Sequence, residues 1–106
     1  MTKDITPPYY AVIFTNERTD YDDGYAETAA HMVELAAQQP GYIGFETVGD
    51  GKNAISVSYW QDLDSIKAWK AVSDHAMAQK MGRDKWYKSY TTRIAKVERE
   101  YSFEKD

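Results

Sequence analysis

Seven side chains in this sequence are of types that can handle a flat organic molecule: Phe14, Asn16, Trp69, His75, Trp86, Tyr90 and Arg93. Asn16 stands in phase with Tyr10, Val12 and Phe14, so its amide could donate to a developing oxyanion, although an asparagine at a strand end also makes turns. His75 carries an imidazole whose ordinary pKa is near neutrality and could accept a proton; it could equally bond a helix end or a partner subunit. The other histidine, His31, falls within a helical stretch and reads as a partly exposed helix residue. Arg93 has the forked donors that hold an anionic phenolate, and an arginine on a surface strand is the plain alternative. Trp69 could stack on a planar guest while also serving the core. Trp86, Tyr87 and Tyr90 would wall one end of such a pocket or serve a subunit interface, and Trp60 reads as mainly structural.

Composition narrows the classes of function these residues can serve. The chain has 106 residues, enough for one compact domain, with 13 Lys+Arg against 17 Asp+Glu and a net charge of -4. The basic residues are dispersed, so the electrostatic footprint of a nucleic-acid binder is missing. No run approaches the roughly 20 apolar residues of a membrane span, and residues 1–8 lack the basic-then-apolar pattern of a signal peptide. A soluble, cytoplasmic protein with no membrane or nucleic-acid partner is expected. The absence of cysteine excludes disulfides, thiolate nucleophiles and cysteine-ligated metals, and two histidines leave little for a metal site. No metal and no cofactor are expected.

The elements that must position these residues follow from the apolar spacing. Tyr9 to Arg18 is rich in aromatic and β-branched residues on both alternating sets, which predicts a first strand covered on both faces. After Asp20, Asp22, Asp23 and Glu27, a stripe of Tyr25, Ala29, Met32, Leu35 and Ala36 predicts a helix ending near Gln39, before Pro40-Gly41. Tyr42–Val48 and Ala54–Trp60, joined by Gly49-Asp50-Gly51-Lys52-Asn53, predict a hairpin. Asp62 or Asp64 can cap a second helix, and the drifting positions Leu63, Ile66, Trp69 and Val72 predict a kink near Ser73-Asp74 before a last helical piece through Ala76, Met77, Lys80 and Met81, ended by Gly82. Ser89–Tyr101 predicts a closing strand. The resulting fold class is α+β, with the ferredoxin-like order β-α-β-β-α-β and a four-stranded antiparallel sheet. The expected boundaries are an N-terminal extension over 1–8, one domain over 9–103 and a tail over 104–106. Two helices cover one sheet face, and a second copy of the chain packed sheet to sheet is the simplest cover for the other.

An ordered set of residues carries a family resemblance over nearly the whole chain. Gly24-Tyr25, Gln39-Pro40-Gly41-Tyr42-Ile43-Gly44-Phe45-Glu46 and Ile55-Ser56-Val57-Ser58-Tyr59-Trp60 are followed by Trp69-Lys70, His75, Ala78-Gln79, Gly82-Arg83, Trp86-Tyr87, Tyr90, Arg93 and Val97-Glu98-Arg99. This set resembles the antibiotic biosynthesis monooxygenase (ABM) domain of the dimeric α+β barrel superfamily. The resemblance implies a homodimer paired through its sheets, with one pocket per subunit between sheet and helices. It also implies a monooxygenase that needs neither metal nor flavin and oxidises a small electron-rich aromatic such as a phenol or hydroxyquinone. The same pocket could instead serve a non-catalytic binding or stress-related module. Trp69 matches the tryptophan on which the family's pocket is built, and Asn16 resembles the first-strand asparagine of the heme-degrading branch. In that branch the iron-ligating histidine follows the helix tryptophan by about ten residues; here Gln79 holds that place and His75 falls a turn earlier, which argues against heme ligation.

Overall fold

The computed structural model describes residues 6–80 and 82–106, without the side chains of 78–83. Residues 1–5 of the expected N-terminal extension, Met81, and the Gln79 side chain therefore lie outside the described residues.

The chain forms β1 (Tyr9–Arg18), α1 (Tyr25–Ala37), β2 (Tyr42–Gly49), β3 (Asn53–Trp60), α2 (Leu63–Lys80), the short α3 (Gly82–Trp86) and β4 (Tyr87–Val97). The four strands make one antiparallel sheet in the order β2-β3-β1-β4, the ferredoxin-like arrangement. Its most apolar strand, β1, lies inside the sheet, paired from Tyr10↔Trp60 to Glu17↔Asn53 with β3 and from Tyr9↔Val97 to Arg18↔Tyr87 with β4. The hairpin turn is fixed by Asp50, whose Oδ1 accepts from the Lys52 N–H at 2.9 Å and the Asn53 N–H at 2.8 Å. Those two backbone donors hold its carboxyl below the ordinary aspartate value. Asp62 caps α2 by accepting the Ser65 N–H at 2.8 Å.

Three features differ from their expected form, the first being that Gly82, expected to end the last helical piece, begins the short α3. No break interrupts α2 at Ser73-Asp74. Ser73 Oγ donates to the Lys70 carbonyl at 3.1 Å and Asp74 pairs with Lys70 at 2.6 Å, so both residues face back along the same helix instead of capping a new one. The closing strand starts at Tyr87 and stops at Val97, not at Ser89 and Tyr101. A register shift at Glu17/Arg18 lets Arg18 pair with Tyr87, and Val97 is the last residue with a partner because β1 begins opposite it at Tyr9. Beyond Val97 the backbone has no neighbouring strand to bond, and residues 98–106 form no regular element.

The core sits where α1 and α2 meet the β3 end. Fully buried Trp60 packs with Ala36 and Ile66, flanked by Tyr10, Val12, Tyr42 and Trp69. On the opposite sheet face Ile13 pairs with Val57, and Thr15 and Val48 both pair with Ile55. Ile55 and Val48 there are 47% and 70% exposed.

Gly41 sets the approach of α2 to the sheet. Its φ is +84°, and a Cβ there would lie 2.0 Å from Ser65 Oγ and 2.7 Å from Ser65 Cβ. Gly41→Ala combines a left-handed backbone, which costs about 1–2 kcal/mol for a residue with a side chain, with a backbone-to-helix collision. It is expected to lower the unfolding free energy by at least about 2 kcal/mol, read as a shifted urea midpoint at unchanged slope; a loss below half of that would mean Ser65 yields freely.

Candidate functional site

A cavity of about 670 Å³ lies beneath α1 and α2 on the helix-facing side of the sheet. Alternation along the strands selects its floor: Val12 and Phe14 from β1, Ser56 and Ser58 from β3, Thr92 and Ile94 from β4, with Phe45 and Thr47 from β2. The roof is Thr28, Ala29, Met32 and Val33 of α1 with Ile66, Trp69, Ser73 and Met77 of α2. Positions 66, 69, 73 and 77 recur at three- and four-residue intervals, so they share one helix face.

Aromatic rings close both ends. At one, Trp69 stacks on Trp60 with centroids 5.9 Å apart and planes 23° from parallel, and Trp60 meets Tyr42 edge to face. At the other, Phe14 contacts Tyr87 at 5.6 Å and Tyr90 at 5.3 Å, while Tyr25 packs edge to face on Trp86 and Tyr87. The Trp86 indole N–H donates to the Asp23 carbonyl at 3.0 Å, which fixes α3 against the loop before α1. Tyr87 donates to the Tyr25 hydroxyl at 3.4 Å. Burial first, and that bond second, push the Tyr87 phenol well above its ordinary value.

The structure thus brings Phe14, Trp69, Trp86 and Tyr90 together around one cavity. Asn16 is buried at 7% exposure behind that wall, with Cα partners Ala54 and Tyr90 that both line it. Its Oδ1 is buried without a hydrogen-bond partner among the described residues, a cost of about 1–3 kcal/mol for a folded protein. His75 and Arg93 are placed elsewhere. His75 is exposed and lies two residues from both Ser73 and Met77, roughly 200° around the helix from the cavity face. Arg93 is exposed and opposite Ile13, between Thr92 and Ile94, so alternation turns it to the other sheet face.

Sequence reading missed Arg18, Tyr25 and Lys52, which all line the cavity. Arg18 continues the set Val12, Phe14, Asn16, a signal present in the strand's two-residue period. Its guanidinium carbon lies 3.3 Å from the Tyr25 ring centroid. Among the described residues no three His, Asp or Glu side chains converge as metal ligands, and no helix is long and apolar enough to cross a membrane.

The sequence profile of antibiotic biosynthesis monooxygenases matches residues 8–81. An uncharacterized Bacillus subtilis protein, YqjZ, is 46% identical over 108 residues, covering 100% of this chain and 94% of that protein. Jasmonate monooxygenase ABM of Pyricularia oryzae is 29% identical over 92 residues, covering 83% of this chain, which spans only 43% of that larger protein. Among solved structures, SnoaB, a cofactor-independent oxygenase from Streptomyces nogalater, superposes with a TM-score of 0.72 at 10% identity, covering 89% of this chain and 97% of that one.

The raised Tyr87 value has a sign. The folded state keeps a proton that the unfolded chain releases above about pH 10, so this contribution is intact below that pH and is lost as pH rises through the folded value. Tyr87→Phe is expected to flatten part of the alkaline fall in stability measured by guanidinium unfolding between about pH 9 and 11. Tyr9 and Tyr59 keep a share of that fall, since both are pushed up to about 12, Tyr9 chiefly by its bond to Glu100 and Tyr59 chiefly by burial. An unchanged slope would show that Tyr87 is solvated.

Proposed function

The chain belongs to the antibiotic biosynthesis monooxygenase family, and from that membership together with its aromatic-walled cavity we propose that it oxidises a small electron-rich aromatic, of the phenol or hydroxyquinone kind, without metal or flavin. The single observation that carries this reading is the cavity between sheet and helices, floored by Phe14 and ended by Trp69 and Trp86. SnoaB is a cofactor-independent oxygenase and the Pyricularia oryzae protein is a monooxygenase, which supports an oxygenase reading of this chain.

The physical case starts from dioxygen, a triplet that reacts slowly with closed-shell molecules unless they donate an electron readily. A phenolate does so. Oxidation of a phenol to a quinone, with one oxygen atom entering the ring and the other leaving as water, balances with dioxygen alone, so no outside reductant is required. The protein's part is to hold the ring, favour its anionic form and keep water from the intermediates. Asn16 is the proposed donor toward the developing oxyanion; it lies behind Ala54 and Tyr90, so this role requires the Tyr90 side chain to swing aside and admit the substrate oxygen.

A non-catalytic binding module is the second reading, and it has its own support: among the described residues no histidine lines the cavity. In either case we propose a homodimer closed over the outer sheet face, where Val48 and Ile55 are exposed.

Anaerobic mixing with a panel of hydroxylated naphthalenes and anthracenes, followed by admission of oxygen, separates the readings. Catalysis predicts oxygen uptake in step with substrate loss, and Asn16→Ala should lower kcat about 100-fold with little change in KM. Ligand-dependent stabilisation without uptake above the buffer rate would replace the enzyme by the binding module. Sedimentation at micromolar concentration should give two subunits; a stable, folded single subunit would remove the dimer.

A further inference from the structure

Arg18 is a cation built into an aromatic wall, and among the described residues no carboxylate forms an ion pair with it, although Asp20 and Asp22 line the same pocket. The face of its guanidinium lies on Tyr25 at 3.3 Å, and its Nε is buried without a hydrogen-bond partner among the described residues. The neighbouring phenols of Tyr25 and Tyr87 bond each other, so they supply no counter-charge. Stacking occupies the face of the guanidinium only; its N–H donors lie in the plane, where they fit the two oxygens of a carboxylate. Arg18 is half-buried, and its buried Nε is the donor left without an acceptor.

The position of Arg18 says where that acceptor would come from. A second, smaller pocket of about 420 Å³ adjoins the main cavity, and Arg18, Tyr25, Gly51 and Lys52 line both. The smaller pocket is the polar one, bounded also by Thr19, Asp20 and Asp22. A molecule with an apolar body in the main cavity would therefore present its far end at Arg18, with Lys52 as a second cation. Asp20 and Asp22 are exposed and oppose an anion there, which weighs more heavily against a doubly charged phosphate than against a singly charged group.

We infer that Arg18, assisted by Lys52, anchors a carboxylate, and that the ligand of this cavity is an aromatic acid whose ring system extends from Phe14 toward Trp69. This inference rests on the reading of the main cavity as a small-molecule site and adds the chemical class of what fills it.

The test uses two probes with one ring system, 1-naphthylacetate and 2-(1-naphthyl)ethanol, titrated into the wild-type protein at neutral pH by calorimetry. The acid is expected to bind at least about ten-fold tighter than the alcohol. Arg18→Met should abolish that preference while leaving the alcohol's affinity within about two-fold, and Arg18→Lys, which keeps the charge and loses the fork, should retain part of it. Equal affinity of both probes for the wild type would overturn the carboxylate anchor and leave the cavity standing; failure of both to bind would overturn the cavity reading and the anchor together. Since the wild-type comparison needs no variant, misfolding of Arg18→Met cannot shield the proposal. A preference that survives in a folded Arg18→Met protein would assign the anchor to another residue and so overturn it.

Discussion

The cavity depends on a size mismatch between the ends and the middle of one layer of side chains. Large rings stand at the two ends, Trp60 with Trp69 at one and Trp86 with Tyr87 at the other, and they hold the helices at a fixed height above the sheet. Between them short residues, Ala29, Thr28, Ser56, Ser58 and Thr92, are interspersed with larger ones such as Phe45, Ile66 and Met77. Protein interiors ordinarily fill such space to crystal-like density, so this cavity is where the fold departs from that norm. The strongest prop is Trp60, fully buried, whose indole N–H is satisfied by Ser58 Oγ at 2.8 Å. That bond lets a polar group stay at the bottom of the core without cost to packing.

Much of this architecture was legible because it is written in short-range patterns. The apolar run Tyr9–Arg18 bounded β1 correctly, the Gly49–Asn53 turn announced the hairpin, and the order of elements followed. What escaped depended on contacts between distant segments. The end of β4 is set by where β1 begins, a fact about Tyr9 that no local feature of Val97–Tyr101 encodes. The continuity of α2 is set by Lys70, which engages both residues that looked like caps.

The site was legible in the same uneven way. Trp69 and Trp86 line the cavity, a placement that large aromatics commonly take in a small domain. Arg93 and Arg18 show the other side. Both are arginines on strands, and only the pleat decides which face each takes; counting alternate residues from Phe14 reaches Arg18, and counting from Thr92 passes over Arg93. His75 was singled out by chemical type, while the face of its helix is decided by Trp69, Ser73 and Met77. Chemistry suggests candidates, but periodicity selects among them. The fold is shared by proteins of differing activity, so the residues that line the cavity, not the architecture, distinguish this chain.

The stacked pair Trp60–Trp69 has an optical consequence. Two indoles 5.9 Å apart and 23° from parallel are close enough for their electronic transitions to couple, which gives the near-ultraviolet dichroism of the folded protein a signature that neither ring has alone. Because one partner is locked in the core and the other forms part of the cavity wall, a molecule held in the cavity would perturb one oscillator against a fixed reference. The molecule therefore carries its own spectroscopic gauge, readable without a label.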